Sequence, residues 1–152
     1  MKNPINRSFY SGNSRRVSSG KNMLTEQPGR VFSKRSEDNL IGVDDRLVAV
    51  VRLALRLSAT DFTVVEGLRT VETQKKLVAK GASKTMNSRH LIGQAVDLYP
   101  YYDGRVQVTA PPAKYREIAQ AMKQAASELG VRITWGGDWK SFVDMPHYQI
   151  EL

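Results

Sequence analysis

The first 35 residues and the remainder of this chain obey different rules. Residues 1–35 carry eight Lys/Arg against a single acid, Glu26, and only nine hydrophobic side chains, with Ser, Gly and Asn crowded between Asn6 and Asn22. Such a stretch buries too little apolar surface to offset the entropy lost on ordering it. Residues 36–152 hold 15 basic and 14 acidic side chains and are almost charge-balanced. The foldable part is therefore one domain from Phe32 to Leu152, preceded by a flexible basic arm over residues 1–31. Most of the net charge of +8 belongs to the arm, so the domain itself does not read as a nucleic-acid-binding surface.

Within the domain, helical and extended patterns alternate irregularly. Asp44 or Asp45 can cap a helix whose apolar positions Leu47, Val50, Val51 and Ala54 recur with 3.6 periodicity. Phe62–Glu66 reads as a strand ending at Gly67, and a short helix runs from Val71 to Lys80 between Thr70 and Gly81. Residues 94–99 form a second strand, closed by Pro100. After Pro111 and Pro112, the stripe Tyr115, Ile118, Ala119, Met122, Ala125, Ala126, Leu129 predicts a long amphipathic helix stopped by Gly130. Residues 131–134 and 147–152 complete the strands. The class expected is α+β, a small central antiparallel or mixed sheet with flanking helices.

The inventory of reactive side chains is short. There is no cysteine, which excludes disulfides, thiolate nucleophiles and Cys-type zinc sites, and the two histidines are His90 and His147. On the second strand, period-2 geometry puts Ala95, Asp97 and Tyr99 on one face and Val96 and Leu98 on the other. Gly93 permits a tight turn that can fold His90 over that strand. On the last strand His147, Gln149 and Glu151 share a face. His90, Asp97 and His147 thus offer two imidazoles and a carboxylate on the sheet face, leaving a fourth position open as in a catalytic zinc site. Asp144, three residues before His147 and stiffened by Pro146, is placed to take a proton from water at such a metal. The competing reading is that the histidines are capping or hydrogen-bonding residues.

The ordered set Ser88-x-His90-x-x-Gly93-x-Ala95-x-Asp97, Trp135-Gly136-Gly137-Asp138-Trp139 and Asp144-x-Pro146-His147 resembles the D-Ala-D-Ala carboxypeptidase-like zinc peptidases. Within them it is most similar to the L-alanyl-D-glutamate endopeptidases of phage endolysins. The likeness covers Phe32 to Leu152. It implies one zinc ion on His90, Asp97 and His147 and a catalytic carboxylate at Asp144, where other branches carry Glu. It also implies that Arg69, followed by Gln74, stabilises developing negative charge, and that Ser88 and Gln74 contact substrate. Trp135 and Trp139 can wall the substrate groove or pack as core aromatics.

The function expected is hydrolysis of the L-Ala–D-Glu bond in peptidoglycan stem peptides. The alternatives are a D-Ala-D-Ala carboxypeptidase with the same metal set and, from another class, a non-catalytic wall- or nucleic-acid-binding module. No run of about 18 apolar residues occurs and residues 1–30 lack an apolar h-region, so neither a membrane span nor a Sec-type signal is expected. The resemblance then implies a monomer made in the host bacterial cytoplasm that meets the wall after release. The arm is expected to bind anionic surface polymers such as lipopolysaccharide, with no stable nucleic-acid partner.

Overall fold

A computed structural model describes residues 23–152. Four α-helices, α1 (Lys34–Asn39), α2 (Asp45–Leu57), α3 (Val71–Ala79) and α4 (Pro112–Leu129), accompany five strands. The strands are β1 (Phe62–Glu66), β2 (Ala95–Tyr102), β3 (Arg105–Val106), β4 (Arg132–Trp135) and β5 (His147–Glu151). Every pairing is antiparallel, in the order β1-β2-β5-β4, with β3 folded back on the end of β2. The class is α+β, as the mixed patterns imply. Among the described residues no helix is long and apolar enough to cross a membrane.

Helices α2 and α4 pack together on one face of the sheet. Leu47, Val50, Val51 and Ala54 of α2 and Ile118, Met122 and Ala125 of α4 are almost wholly buried against Val64, Val96, Leu98, Tyr148 and Ile150. Burial of the Val, Leu, Ile and Met side chains among them contributes about 1.5–3 kcal/mol each. The apolar stripe of α4 therefore does what its periodicity requires, and Gly130 ends the helix at φ 69°. Because strand residues alternate, the opposite sheet face carries Asp97, Tyr99, His147 and Gln149.

Three features depart from the sequence expectation. Pro100 does not close β2. Its missing N–H falls where the chain changes partners: the Tyr101 N–H donates to Asp61 O at 2.8 Å, while Pro100 O accepts from Gln107 N at 2.8 Å. The strand continues into a hairpin turned by Asp103 and Gly104, both at positive φ. A helix not expected from periodicity, α1, is capped by Ser33 and covers the exposed edge of β1. Its Asn39 amide donates to the carbonyls of Val64 and Val65 at 2.9 and 3.1 Å.

The third departure concerns the arm. Residues 1–22 lie outside the described residues, but the stretch from Leu24 to Arg30 is fastened to the domain. Leu24 exchanges two hydrogen bonds with the Gln124 side chain, and Glu26 pairs with Arg56 at 2.7 Å. Arg30 donates to the carbonyls of Leu55 and Ser58 at 3.0 and 2.6 Å, satisfying the open end of α2. The ordered fold thus starts before Phe32, because these backbone-capping contacts need no large apolar area.

Candidate active site

The site is assembled by the sheet register. Asp97 on β2 stands opposite His147 on β5 on one side and Glu66 on β1 on the other. By simple alternation Glu66 would share the core face with Phe62 and Val64. A bulge between Val64 and Glu66 inserts one residue and turns its carboxylate to the Asp97 face. The two bulged carbonyls are the ones that accept from Asn39.

His90 arrives from a 3-10 turn, Arg89–Ile92, capped by the Ser88 hydroxyl, which accepts from the His90 N–H at 3.2 Å. The turn ends at Gly93, φ 70°, where a Cβ would lie 2.2 Å from Gly42 O, so glycine alone fits the conformation and the space. Gly93 O in turn accepts from Asp44 N at 2.8 Å, tying the turn to the start of α2. His147 follows a loop held at three points. Asp144 N donates to Gly136 O at 3.0 Å, His147 N to Asp144 O at 3.1 Å, and the Trp135 indole to Met145 O at 2.6 Å.

His90 Nδ1 lies 2.8 Å from Gly67 O and must donate there, leaving a lone pair on Nε2. That Nε2 is 3.1 Å from Asp97 Oδ1. His147 Nε2 donates to Gln149 Oε1 at 2.9 Å, which leaves the Nδ1 lone pair 3.4 Å from the same Asp97 oxygen. Two imidazole lone pairs facing one carboxylate oxygen repel unless a proton or a cation lies among them. One ligand atom from each of the three residues lies within 4.8 Å of the other two, and the donor set of two nitrogens and a carboxylate suits a divalent metal such as zinc. The outer hydrogen bonds to Gly67 and Gln149 fix both rings for that task.

The electrostatics follow from this packing. Burial pushes the Asp97 carboxyl up, but when protons occupy the inner nitrogens in place of a metal, hydrogen bonds from His147 and His90 and attraction to both rings outweigh it and hold the group far below the ordinary carboxylate range. For His147, burial disfavours the imidazolium, yet the Asp97 and Gln149 side chains and the Asp144 charge raise it overall. Asp144 is raised, first by burial and then by the neighbouring Asp97 charge, although His147, His90 and Arg69 oppose this. A carboxylate made more basic by its surroundings is a better proton acceptor.

Arg69 reaches the same cleft. Its Nε donates to Glu66 Oε2 at 3.0 Å, its Nη2 to Glu66 Oε1, and its Nη1 to Gln74 Oε1 at 2.7 Å. Nη2 is also 3.8 Å from Asp97 Oδ2. Of the five guanidinium N–H donors these bonds use three, so two remain. The cleft, about 510 Å³, is lined by Ser88, Trp139 and Asp144 in addition to Arg69 and the three candidate ligands. Trp139 stacks at a tilt on His147, with ring centroids 5.1 Å apart.

Two expected substrate contacts stand elsewhere. Gln74 is fully buried, and its amide spends itself on Arg69, on Ser83 Oγ at 2.9 Å and on Thr85 O at 2.5 Å, so it positions its neighbours instead of meeting a ligand. Trp135 stacks on Tyr148 in the core, the packing alternative to a groove wall. Conversely, Glu66, Tyr99, Lys84, Phe142 and Gln149 line the cleft without having been singled out as site residues. Only Tyr99 and Gln149 were legible, through their strand parity with Asp97 and His147.

Residues 29–151 match the family described as phage L-alanyl-D-glutamate peptidase. The L-alanyl-D-glutamate peptidase of Escherichia phage T5 is 37% identical over 116 residues, 74% of this chain and 84% of the phage protein. The peptidase of the same name from Listeria phage A118 is 36% identical over 121 residues, 78% of this chain but 41% of that longer protein. Among solved structures, the Serratia marcescens L-Ala D-Glu endopeptidase ChiX superposes with a TM-score of 0.74 at 44% identity, covering 81% of this chain and 92% of ChiX. This chain belongs to the phage L-alanyl-D-glutamate peptidase family.

Proposed function

We propose that this protein hydrolyses the L-Ala–D-Glu bond of peptidoglycan stem peptides, using one zinc ion on His90, Asp97 and His147 and Asp144 as general base. The observation that carries the reading is the convergence of one ligand atom each from His90, Asp97 and His147 within 4.8 Å, in a cleft that also holds Asp144. The named activity of the relatives supplies the scissile bond. Bound there, zinc would lower the pKa of a coordinated water to about 7 and polarise a peptide carbonyl. Asp144 accepts a proton from the attacking water and returns it to the leaving D-Glu amine as the C–N bond breaks. Arg69, held by Glu66 and Gln74, turns its spare N–H groups toward the oxygen on which negative charge grows. Ser88 fixes the His90 turn and lines the substrate side of the cleft.

Mass spectrometry of peptidoglycan digested by the zinc-loaded protein tests this directly. Fragments with a new amino-terminal D-Glu are expected. Release of terminal D-Ala would point to the carboxypeptidase alternative, and an intact polymer would sink the enzymatic reading. Asp144→Ala should abolish turnover while retaining one zinc per chain; a variant that loses its metal would show that Asp144 is a ligand. We further propose that the basic arm, whose residues 1–22 carry five Lys/Arg and no acid, draws the protein to anionic surface polymers, an attraction screened beyond a Debye length of about 8 Å at physiological salt. Lipopolysaccharide binding with and without residues 1–22 tests it.

A further inference from the structure

Three cations line the cleft, and two of them are neutralised. Arg69 is paired with Glu66, and Arg89 donates to Ile150 O at 2.6 Å and pairs with Glu151 at 3.2 Å. Lys84 is the third, and among the described residues no carboxylate lies within ion-pair distance of it. Its surroundings are nevertheless built. The residues on either side, Ser83 and Thr85, are both bonded to the amide of fully buried Gln74, which fixes the segment from behind. Its ammonium lies 5.1 Å from the ring centroid of Phe142, on the loop that also carries Asp144. Phe142 adopts φ 52°, a left-handed conformation that a bulky side chain takes only where its surroundings impose it. An unpaired ammonium is thus held over a cleft otherwise lined by the carboxylates of Glu66, Asp97 and Asp144.

The substrate class supplies the missing anion. A glutamyl residue has two carboxyl groups and only one can continue the peptide, so its second carboxylate is free and only a few bonds from the scissile nitrogen. We propose that Lys84 binds this free carboxylate of the D-glutamyl residue on the leaving side, with Phe142 holding the ammonium in place. The inference rests on the peptidase reading above and adds the residue that selects glutamate. A charge-assisted hydrogen bond formed in both the bound substrate and the transition state appears in KM and not in kcat.

The test compares the zinc-loaded protein and Lys84→Met on two synthetic stem peptides, one with the second D-Glu carboxyl free and one with it converted to the carboxamide. Wild type should prefer the free acid by about tenfold or more in kcat/KM. Lys84→Met should lose that preference through KM, with kcat unchanged and the carboxamide cleaved as by wild type; Lys84→Arg should keep part of it. Since Lys84 is exposed, the substitution leaves the fold intact. Binding of the amino-terminal D-Glu product, measured by calorimetry without turnover, should weaken by the same factor. An unchanged preference in Lys84→Met, or equal losses on both peptides, would overturn the assignment. If wild type cleaves neither peptide, the peptidase reading itself fails and the assignment falls with it, a result distinct from the others.

Discussion

His90 and Gly67 clasp each other across the cleft floor: the imidazole Nδ1 donates to Gly67 O at 2.8 Å, and two residues on the Arg69 N–H donates to His90 O at 2.9 Å. Gly67 has no room for a side chain. A Cβ there would lie 2.1 Å from Asn39 O and 2.6 Å from a methyl of Val43. Gly67→Ala should therefore destabilise the fold by roughly 1–3 kcal/mol. Because it displaces the acceptor that orients His90, zinc affinity should also fall roughly 10–100-fold. Urea denaturation and a competitive chelator titration check the two effects; a loss of stability with normal metal affinity would show that the clasp is only structural.

Arg69 and Gln74 should separate in their phenotypes. Arg69→Ala is expected to lower kcat by about 10²–10³ while keeping zinc bound. Gln74→Leu leaves the Thr85 carbonyl and an Arg69 N–H without the buried amide that meets them, so it should cost roughly 1–3 kcal/mol of stability. It should also reduce kcat, because Arg69 loses its tether, and raise KM, because the Ser83–Thr85 segment that carries Lys84 is released. Steady-state kinetics beside thermal unfolding distinguishes the two. Normal stability in Gln74→Leu would contradict its positioning role.

Arg30 offers a test of where the fold begins. Its two hydrogen bonds satisfy carbonyls at the end of α2. Arg30→Ala should lower stability by about 1 kcal/mol, and a chain starting at Phe32 should lose more than one starting at Met23. Equal denaturation midpoints for both truncations would return residues 23–31 to the arm.

Acidification should act through the cap of α2. The Asp44 side chain accepts from Arg46 N at 2.9 Å, and hydrogen bonding from the Arg46 side chain is the main cause that holds its carboxyl below the ordinary value. A depressed folded pKa means that the stabilisation is fully present above the unfolded value of about 3.9 and disappears as pH falls through the lower folded value. Asp44→Ala should thus cost about 1 kcal/mol at neutral pH, with the gap to wild type closing as denaturation is repeated down to about pH 2. A gap independent of pH would assign the loss to backbone propensity instead of the charge.

Legibility in the sequence tracked how local the responsible physics is. The α4 stripe and the parity that puts Asp97 and His147 on one sheet face are properties of a few consecutive residues, and both were readable. The face of Glu66 depends on a bulge whose carbonyls are met by Asn39, 25 and 26 residues away in sequence, and no local pattern encodes it. The short helix α1 exists to cover a strand edge that only the tertiary fold exposes. The spacing of Gln74 from Arg69 is visible in the sequence, but its burial beneath Ser83 and Thr85 is decided by the path of the chain after α3. The contacts of Leu24 and Arg30 escaped because composition registers apolar area and not the capping of a helix end.

Strand order has a kinetic corollary. Although β5 is the last strand in the chain, it lies in the interior of the sheet, between β2 and β4. Until it inserts, the hydrophobic layer under α4 is open and Asp97 lacks the histidine opposite it. Refolding must therefore bring together segments about 50 residues apart, an entropically costly closure. Recovery of metal binding should share the time course of that closure, so no partly folded intermediate would display a working centre on an unfinished sheet.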